Sequence, residues 1–433
     1  MHFSLSINTN RLIIPPTIPS SILNRFIEIE LTKGSSQSSF VIFLAKTRRF
    51  FVPIEIRKAL HLQHNDQIKV NLQPLQNTLR TPILIKDKKF DFLSSVPITT
   101  LSGYSVLVLP KRNNLLCWYS SQGRPNELLI KRFADPLKIA RFIGYYQAES
   151  GKSKLFPRRG RELNFTNTKL TLIQDFLSLS QKFLDITLWH VTISYNKNVQ
   201  PKFINDLIHT FVDYGLLQKN IHTRIATRIK NYTIKTYISN SVLAETIALT
   251  SNKLQNYLAT QQNFPLFIEF MKAYIAGDGT FFSKRDKYGS LHSRLILHEQ
   301  YYGSILLLEK IMKNHGFSGR IRKHATKNLY LFITIINWDF LFLLLQYDLL
   351  ALTPNHKEKL INALLTHKNY HSLKYILDLP SRFSYTELKL NCSRKGWLNK
   401  RIREGLIAQT QDQTYILTLK GIRTKELLNK LPC

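Results

Sequence analysis

The chain is short of acid, of cysteine and of glycine, and each shortage excludes something. Its 433 residues hold 28 Asp and Glu against 61 Lys and Arg, a formal charge of +33 at pH 7. That excess runs along nearly the whole sequence and is the electrostatic footprint of a polyanionic partner. The three cysteines, Cys117, Cys392 and Cys433, have no ligand-like spacing. They exclude a zinc site and a disulfide framework, and a reducing compartment is expected. No apolar run reaches the ~18 residues that span a bilayer. The longest, residues 338–345, is interrupted by Asp339 and reads as a buried helix, so no membrane partner is expected. Residues 1–10 have no basic region followed by an apolar core, so neither a secretory signal nor a transit peptide is read there. Few glycines beside heavy use of Leu, Ile, Asn and Lys suggest an A+T-rich coding sequence.

What is present is enough to build cores. At 44% apolar and 11% aromatic, the length predicts about two to four domains. Two stretches look like copies of one idea. The first is Phe142-Ile143-Gly144-Tyr145-Tyr146-Gln147-Ala148-Glu149-Ser150-Gly151; the second is Met271-Lys272-Ala273-Tyr274-Ile275-Ala276-Gly277-Asp278-Gly279. Each is an apolar helical run with small residues four apart, Gly144 and Ala148 or Ala273 and Gly277. One carboxylate follows, Glu149 or Asp278, and then a glycine-containing exit into a basic segment.

Small residues at i and i+4 share a helix face and let two backbones approach closely. Two such helices packed face to face would set their terminal carboxylates side by side. The mutual repulsion would be relieved by a divalent cation, as in phosphodiester hydrolysis. Gly151 and Gly279 suit a left-handed helix cap. The plainer reading is a pair of small-residue helix contacts with solvated acids at their ends.

Over about residues 128–375 the chain resembles the LAGLIDADG homing endonucleases, in the monomeric form that carries two motifs. The second motif is close to the family pattern (Tyr274-Ile275-Ala276-Gly277-Asp278-Gly279-Thr280-Phe281). The first departs from it at Glu149, where aspartate is more usual, and at Ser150, where glycine is typical. The resemblance implies an α+β fold with a pseudo-twofold pair of αββαββα units. It also implies a site-specific double-strand break in a long DNA target during intron homing. Mg²⁺ would be held by Glu149 and Asp278, and a basic residue would assist at each phosphate. Lys357 is the candidate in the second half and Lys253 the nearest in the first. An intron RNA maturase and a non-cutting DNA-binding regulator are the alternatives on the same scaffold. Family and composition together suggest an organelle-encoded protein, in the chloroplast or alternatively the mitochondrion.

The pattern divides the chain at 1–127, 128–262, 263–379 and 380–433. Residues 23–72 alternate as strands, with a proline-opened short helix after Pro53 and a tight turn at Asn65, a residue that tolerates positive φ. That order resembles AbrB-type swapped-hairpin domains. Further strands are expected at 81–85 and 104–109. In the first unit, helices are expected at 136–148, 168–183 and 201–214, and strands at 187–195, 223–230 and 232–238. The second unit reads as helix 264–277, hairpin 280–299, helix 303–315, hairpin 319–336 and helices over 338–377. Residues 380–433 resemble a winged helix. There, helices at 384–390 and 393–404 precede a hairpin whose return strand runs over 414–421. The second helix, with Lys395, Lys400, Arg401 and Arg403, is the candidate for groove insertion.

Along the hairpins, basic residues alternate with apolar ones, as a ribbon seated in a major groove would require. Lys154, Arg158, Arg159, Arg161, Arg224, Arg228, Lys230, Lys284, Arg285, Lys287, Arg294, Arg320, Arg322 and Lys323 are the expected DNA-binding group. The alternative for any one of them is a solvated charge. Partners expected are double-stranded DNA or, alternatively, intron RNA, with the protein a monomer.

Overall fold

The computed structural model describes residues 2–6, 11–45, 47, 49–75, 85–86, 89–92, 105–120, 127–149, 162–285, 291–334, 338–388 and 393–431. It divides into two units, Met1–Leu254 and Gln255–Cys433.

The first unit opens with β1 (His2–Ser6), β2 (Arg11–Ile13), β3 (Arg25–Lys33), β4 (Ser36–Leu44), β5 (Arg49–Phe51), helix α1 (Ile54–Ala59) and β6 (Gln67–Pro74). Period-two alternation buries Ile27, Ile29 and Leu31 on β3 and Ile68, Val70 and Leu72 on β6. These meet Leu12, Phe50, Val52 and Leu60 in one core. The sheet order is β1-β6-β3-β4, with β2 and β5 paired separately. The expected strand–helix–turn–strand is present, and Asn65 has φ of 69°. Asp66 beside it is held below the usual carboxylate range by the Gln63 N–H and by Lys33, whose ammonium is 2.7 Å away. The strands pairing with β5 and β6, β2 and β1, belong to this same chain.

Next come β7 (Ile85–Lys86), β8 (Lys89–Asp91), β9 (Val106–Pro110), β10 (Leu115–Ser120), β11 (Glu127–Lys131) and β12 (Phe133–Ala134). They form the three-stranded sheets β11-β10-β9 and β12-β8-β7. Most of the strand expected at 81–85 lies outside the described residues. Arg132 is ion-paired with Asp91 at 3.1 Å, and Phe92 packs on Phe183 with ring centroids 4.9 Å apart. The accessory strands are thereby fastened to the elements that follow.

Those are α2 (Pro136–Glu149), β13 (Leu163–Asn167), α3 (Leu170–Ser180), β14 (His190–Tyr195), α4 (Pro201–Asp213), β15 (Ile221–Ile225), β16 (Tyr232–Ile238) and α5 (Ser241–Thr260). The unit boundary falls within α5. Phe142, Tyr145, Phe165, Phe176, Phe183 and Trp189 stack into an aromatic core under the sheet. The sheet order is β13-β16-β14-β15, and β14 and β15 run parallel because α4 carries the chain back between them. The expected strand over 223–230 is corrected: β15 ends at Ile225. Asn196 takes the chain out of the sheet, its amide donating to the Ile229 carbonyl at 2.9 Å.

The second unit contains α6 (Phe264–Asp278), β17 (Gly279–Arg285), β18 (Leu291–Glu299), α7 (Tyr302–Asn314), β19 (Gly319–Lys323) and β20 (Tyr330–Thr334). Then come α8 (Trp338–Gln346), α9 (Pro354–Leu365) and α10 (Lys368–Leu373). The sheet β17-β18-β20-β19 is wholly antiparallel, the helix–hairpin–helix–hairpin–helix order read from the sequence. Strands β13, β16 and β14 repeat the order and direction of β18, β20 and β19; β15 has no counterpart. The fold class is α+β, as expected.

The chain closes with β21 (Arg382–Phe383), α11 (Arg394–Arg403), β22 (Ile407–Gln409), β23 (Tyr415–Leu417) and α12 (Leu419–Leu428), the strands in the order β21-β23-β22. Two expectations are corrected here. Residues 384–388 form a turn closed by the Glu387 carboxylate on the Ser384 N–H, and 389–390 lie outside the described residues. The return strand stops at Leu417 because the Thr418 hydroxyl caps α12, accepting from the Gly421 N–H at 3.1 Å.

Candidate functional site

Both acids occupy the last residue of their helix, Glu149 on α2 and Asp278 on α6. Gly144, Ala148 and Ala273 lie in the buried surface of these helices, and Gly277 is half-buried. Each helix end is tied to a strand of its own unit. The Asn167 amide, at the end of β13, donates to Oε1 of Glu149 at 2.9 Å. On β18, Nδ1 of His298 lies 2.8 Å from the Asp278 carbonyl oxygen. A carbonyl can only accept, so Nδ1 is the donor in this contact.

A second repeated feature went unread in the sequence. Tyr145 and Tyr274 each stand four residues before the acid and are fully buried. The Tyr145 hydroxyl donates to Asp175 at 2.6 Å, and Asp175 is ion-paired with Arg141 at 2.8 Å. The Tyr274 hydroxyl lies 2.7 Å from the His298 carbonyl and 3.1 Å from Glu299 Oε1. Burial pushes both phenols far above their ordinary range, and the adjoining carboxylates push them further. The available signal was a tyrosine at the same place in both motifs.

The glycine expectation is corrected. Gly279 has extended backbone, with φ of −96°, not the left-handed cap. Glycine is required there because a Cβ would lie 2.7 Å from the Ile275 Cα and 2.8 Å from its carbonyl oxygen. Gly151 lies outside the described residues.

The sheets display the basic residues. In the second unit, Phe281, Leu295, Leu297 and Phe332 turn inward, so Lys284, Arg294, Arg320 and Arg322 share the opposite, open face. Lys323 is exposed but on the other side of β19 from Arg320 and Arg322, its cross-strand partner being Tyr330. In the first unit, Asn164, Thr166, Lys235, Tyr237, His190, Thr192, His222 and Arg224 share the open face. Arg224 is braced there, Nε donating to Ser194 Oγ at 2.7 Å. Arg228 and Lys230 leave the face with the turn after β15. Lys154, Arg158, Arg159, Arg161 and Lys287 lie outside the described residues, and Arg285 ends β17.

Lys357, at the start of α9, is ion-paired with Asp348 at 2.9 Å. Burial lowers the pKa of the half-buried Lys253 ammonium on α5. Among the described residues no group of three or more His, Cys, Asp or Glu could hold a metal ion by itself. Each carboxylate by itself offers oxygen, the donor type that a hard dication takes alongside waters and phosphate.

No family model matches the sequence, and a search of curated proteins finds no match. Among solved structures, the chain is similar to the homing endonuclease I-DmoI in complex with DNA and Ca. That match has 15% identity and a TM-score of 0.28, covering 52% of this chain and 96% of that one. It is also similar to a mutant of I-SmaMI, at 13% identity and a TM-score of 0.28, over 55% of this chain and 94% of that one. Full-length WhiA from Thermatoga maritima matches at 13% identity and a TM-score of 0.30, over 62% and 89%.

Proposed function

We propose that this protein is a Mg²⁺-dependent, site-specific endonuclease of double-stranded DNA, acting in intron homing. The observation that carries this reading is an arrangement present in both units. A helix ends on a carboxylate and is tethered to a strand, and that strand belongs to a sheet whose open face is basic. Such a face suits a duplex, with Lys and Arg neutralising phosphates and setting register while polar side chains read base edges.

In this reading Glu149 and Asp278 would each offer a carboxylate oxygen to Mg²⁺, with Asn167 holding the Glu149 carboxylate and His298 the helix end that carries Asp278. The ion, when bound, supplies Lewis-acid activation of water and charge neutralisation at the leaving 3′ oxygen. Asn167 and His298 fix where the helix ends sit, so the carboxylates meet a scissile phosphate without reorganising first. Lys284, Arg294, Arg320, Arg322 and Arg224 hold the backbone. Lys357 assists at one phosphate after parting from Asp348, and Lys253 at the other. The protein works as a monomer encoded in an organelle, the chloroplast or alternatively the mitochondrion.

The deciding experiment offers the purified protein the fused-exon DNA that flanks its reading frame. Cleavage with Mg²⁺ and none with EDTA supports the reading. Mg²⁺-independent binding to intron RNA without cleavage would assign a maturase instead.

A further inference from the structure

The open face of the first unit carries a ring arrangement that involves β15, the strand without a counterpart in the second unit. His190 on β14 stands between two nearly parallel rings. His222 on β15 lies 6.1 Å away with planes 11° apart, and Tyr237 on β16 lies 5.3 Å away with planes 22° apart. The charged and titratable groups sharing the face with His190 come from every neighbouring strand. They are His222 and Arg224 on β15, Lys235 and Tyr237 on β16, and Glu162 just before β13. The Lys235 ammonium lies 4.8 Å from the Tyr237 ring centroid and 2.6 Å from Glu162. His222 is exposed, and His190 is half-buried beside it.

His190 therefore faces a second imidazole, the cations Arg224 and Lys235 and the Glu162 carboxylate. In the free protein, desolvation and then the neighbouring His222 hold the His190 imidazole below its ordinary range. A phosphodiester backbone laid on the face reverses that balance, because its negative charge favours the protonated ring.

We propose that the His190–His222 pair is a phosphodiester contact of the nucleic-acid surface, formed by proton uptake when DNA docks. This inference rests on the reading that the open sheet faces meet DNA. The sign follows from linkage. A group whose pKa is higher in the complex than in the free protein binds a proton on docking, so affinity strengthens as pH falls through that interval. Each proton taken up is worth at most about tenfold in affinity per pH unit. The two rings come from strands consecutive in the chain but separated by α4, so the contact exists only because that crossover lays β15 parallel beside β14.

The experiment uses the full chain with a fluorescent DNA duplex carrying the fused-exon junction, without divalent ions and at constant ionic strength. Anisotropy gives Kd from about pH 5.5 to about pH 8, the span in which imidazole titrates. Calorimetry in two buffers of different ionisation enthalpy counts the protons. For the wild type we expect Kd to fall up to about tenfold per unit of acidification, with proton uptake on binding. H190Q and, independently, the surface variant H222Q are expected to flatten the slope and reduce the count. A wild-type slope retained in both folded variants overturns the proposal and leaves the DNA reading standing. No binding to duplex at any pH overturns both.

Discussion

Nδ1 of His298 stands 2.8 Å from the carbonyl oxygen of Asp278, so a ring on β18 holds the end of the helix that carries the acid. In the first unit the same task falls to a side-chain amide, with Asn167 donating to Glu149. The two tethers differ in chemistry, yet both connect the last helical residue to a strand of its own sheet. A carboxylate needed for charge stabilisation is useful only if its position is set before the substrate arrives.

Asp278→Asn should reduce cleavage to background in a plasmid assay with Mg²⁺. Affinity for the uncleaved duplex should stay level or rise, because one negative charge near the phosphates is lost. Glu149→Gln should behave alike. Joint loss of cleavage and binding, with an altered circular dichroism spectrum, would indicate misfolding and not a catalytic role.

Gly279→Ala forces a methyl group against the Ile275 backbone, where no side chain can yield. The expected cost is about 1–3 kcal/mol in urea unfolding, together with displacement of Asp278 and loss of cleavage. An unchanged midpoint would show that the helix exit relaxes freely.

Tyr274→Phe removes the hydroxyl from the His298 carbonyl and Glu299 at a fully buried site. Stability should fall by about 1–3 kcal/mol, read from chemical denaturation. Tyr145→Phe, opposite Asp175, should fall in the same direction.

The Cys117 thiol is pushed up to about 12 from an ordinary 9.0, chiefly by burial. A folded-state value above the unfolded one means the unfolded chain releases its proton first. Stability is therefore intact below pH 9.0 and declines as pH rises toward about 12. Melting curves across that alkaline range should show the decline, and Cys117→Ala should reduce it. Equal slopes in both proteins would refute it.

Arg320→Ala and Arg322→Ala should each weaken duplex binding and lower the slope of log K against log salt by about one. Both residues lie on the open face of β19. Lys323→Ala, on the other side of that strand, should change the slope least of the three. The measurement is a salt titration by fluorescence anisotropy, and an equal effect of all three would remove the distinction between faces.

Much of the second unit was legible because its hydrophobic period switches cleanly between helix and strand, from α6 through β20. The first unit misled at residues 226–230, where basic and apolar residues keep alternating after the strand has ended. Alternation records which faces a strand would have, and the hydrogen bonds of Asn196 decide where it stops. The C-terminal segment misled at Arg401. It sits among exposed cations of α11, yet it is buried over Trp397 and donates to Ser372 Oγ at 2.6 Å. Nothing local separates it from Lys400, since the difference lies in the helix that contains Ser372.

From the residues alone came the two acid-ended helices, the basic strands and the α+β class, because helical and strand periods follow from covalent backbone geometry. Only the tertiary structure decided that β15 runs parallel to β14, that Asn167 and His298 tether the acids, and that His190 stacks between His222 and Tyr237. Those contacts join residues far apart in the chain, and strand register and packing, which no local pattern encodes, bring them together.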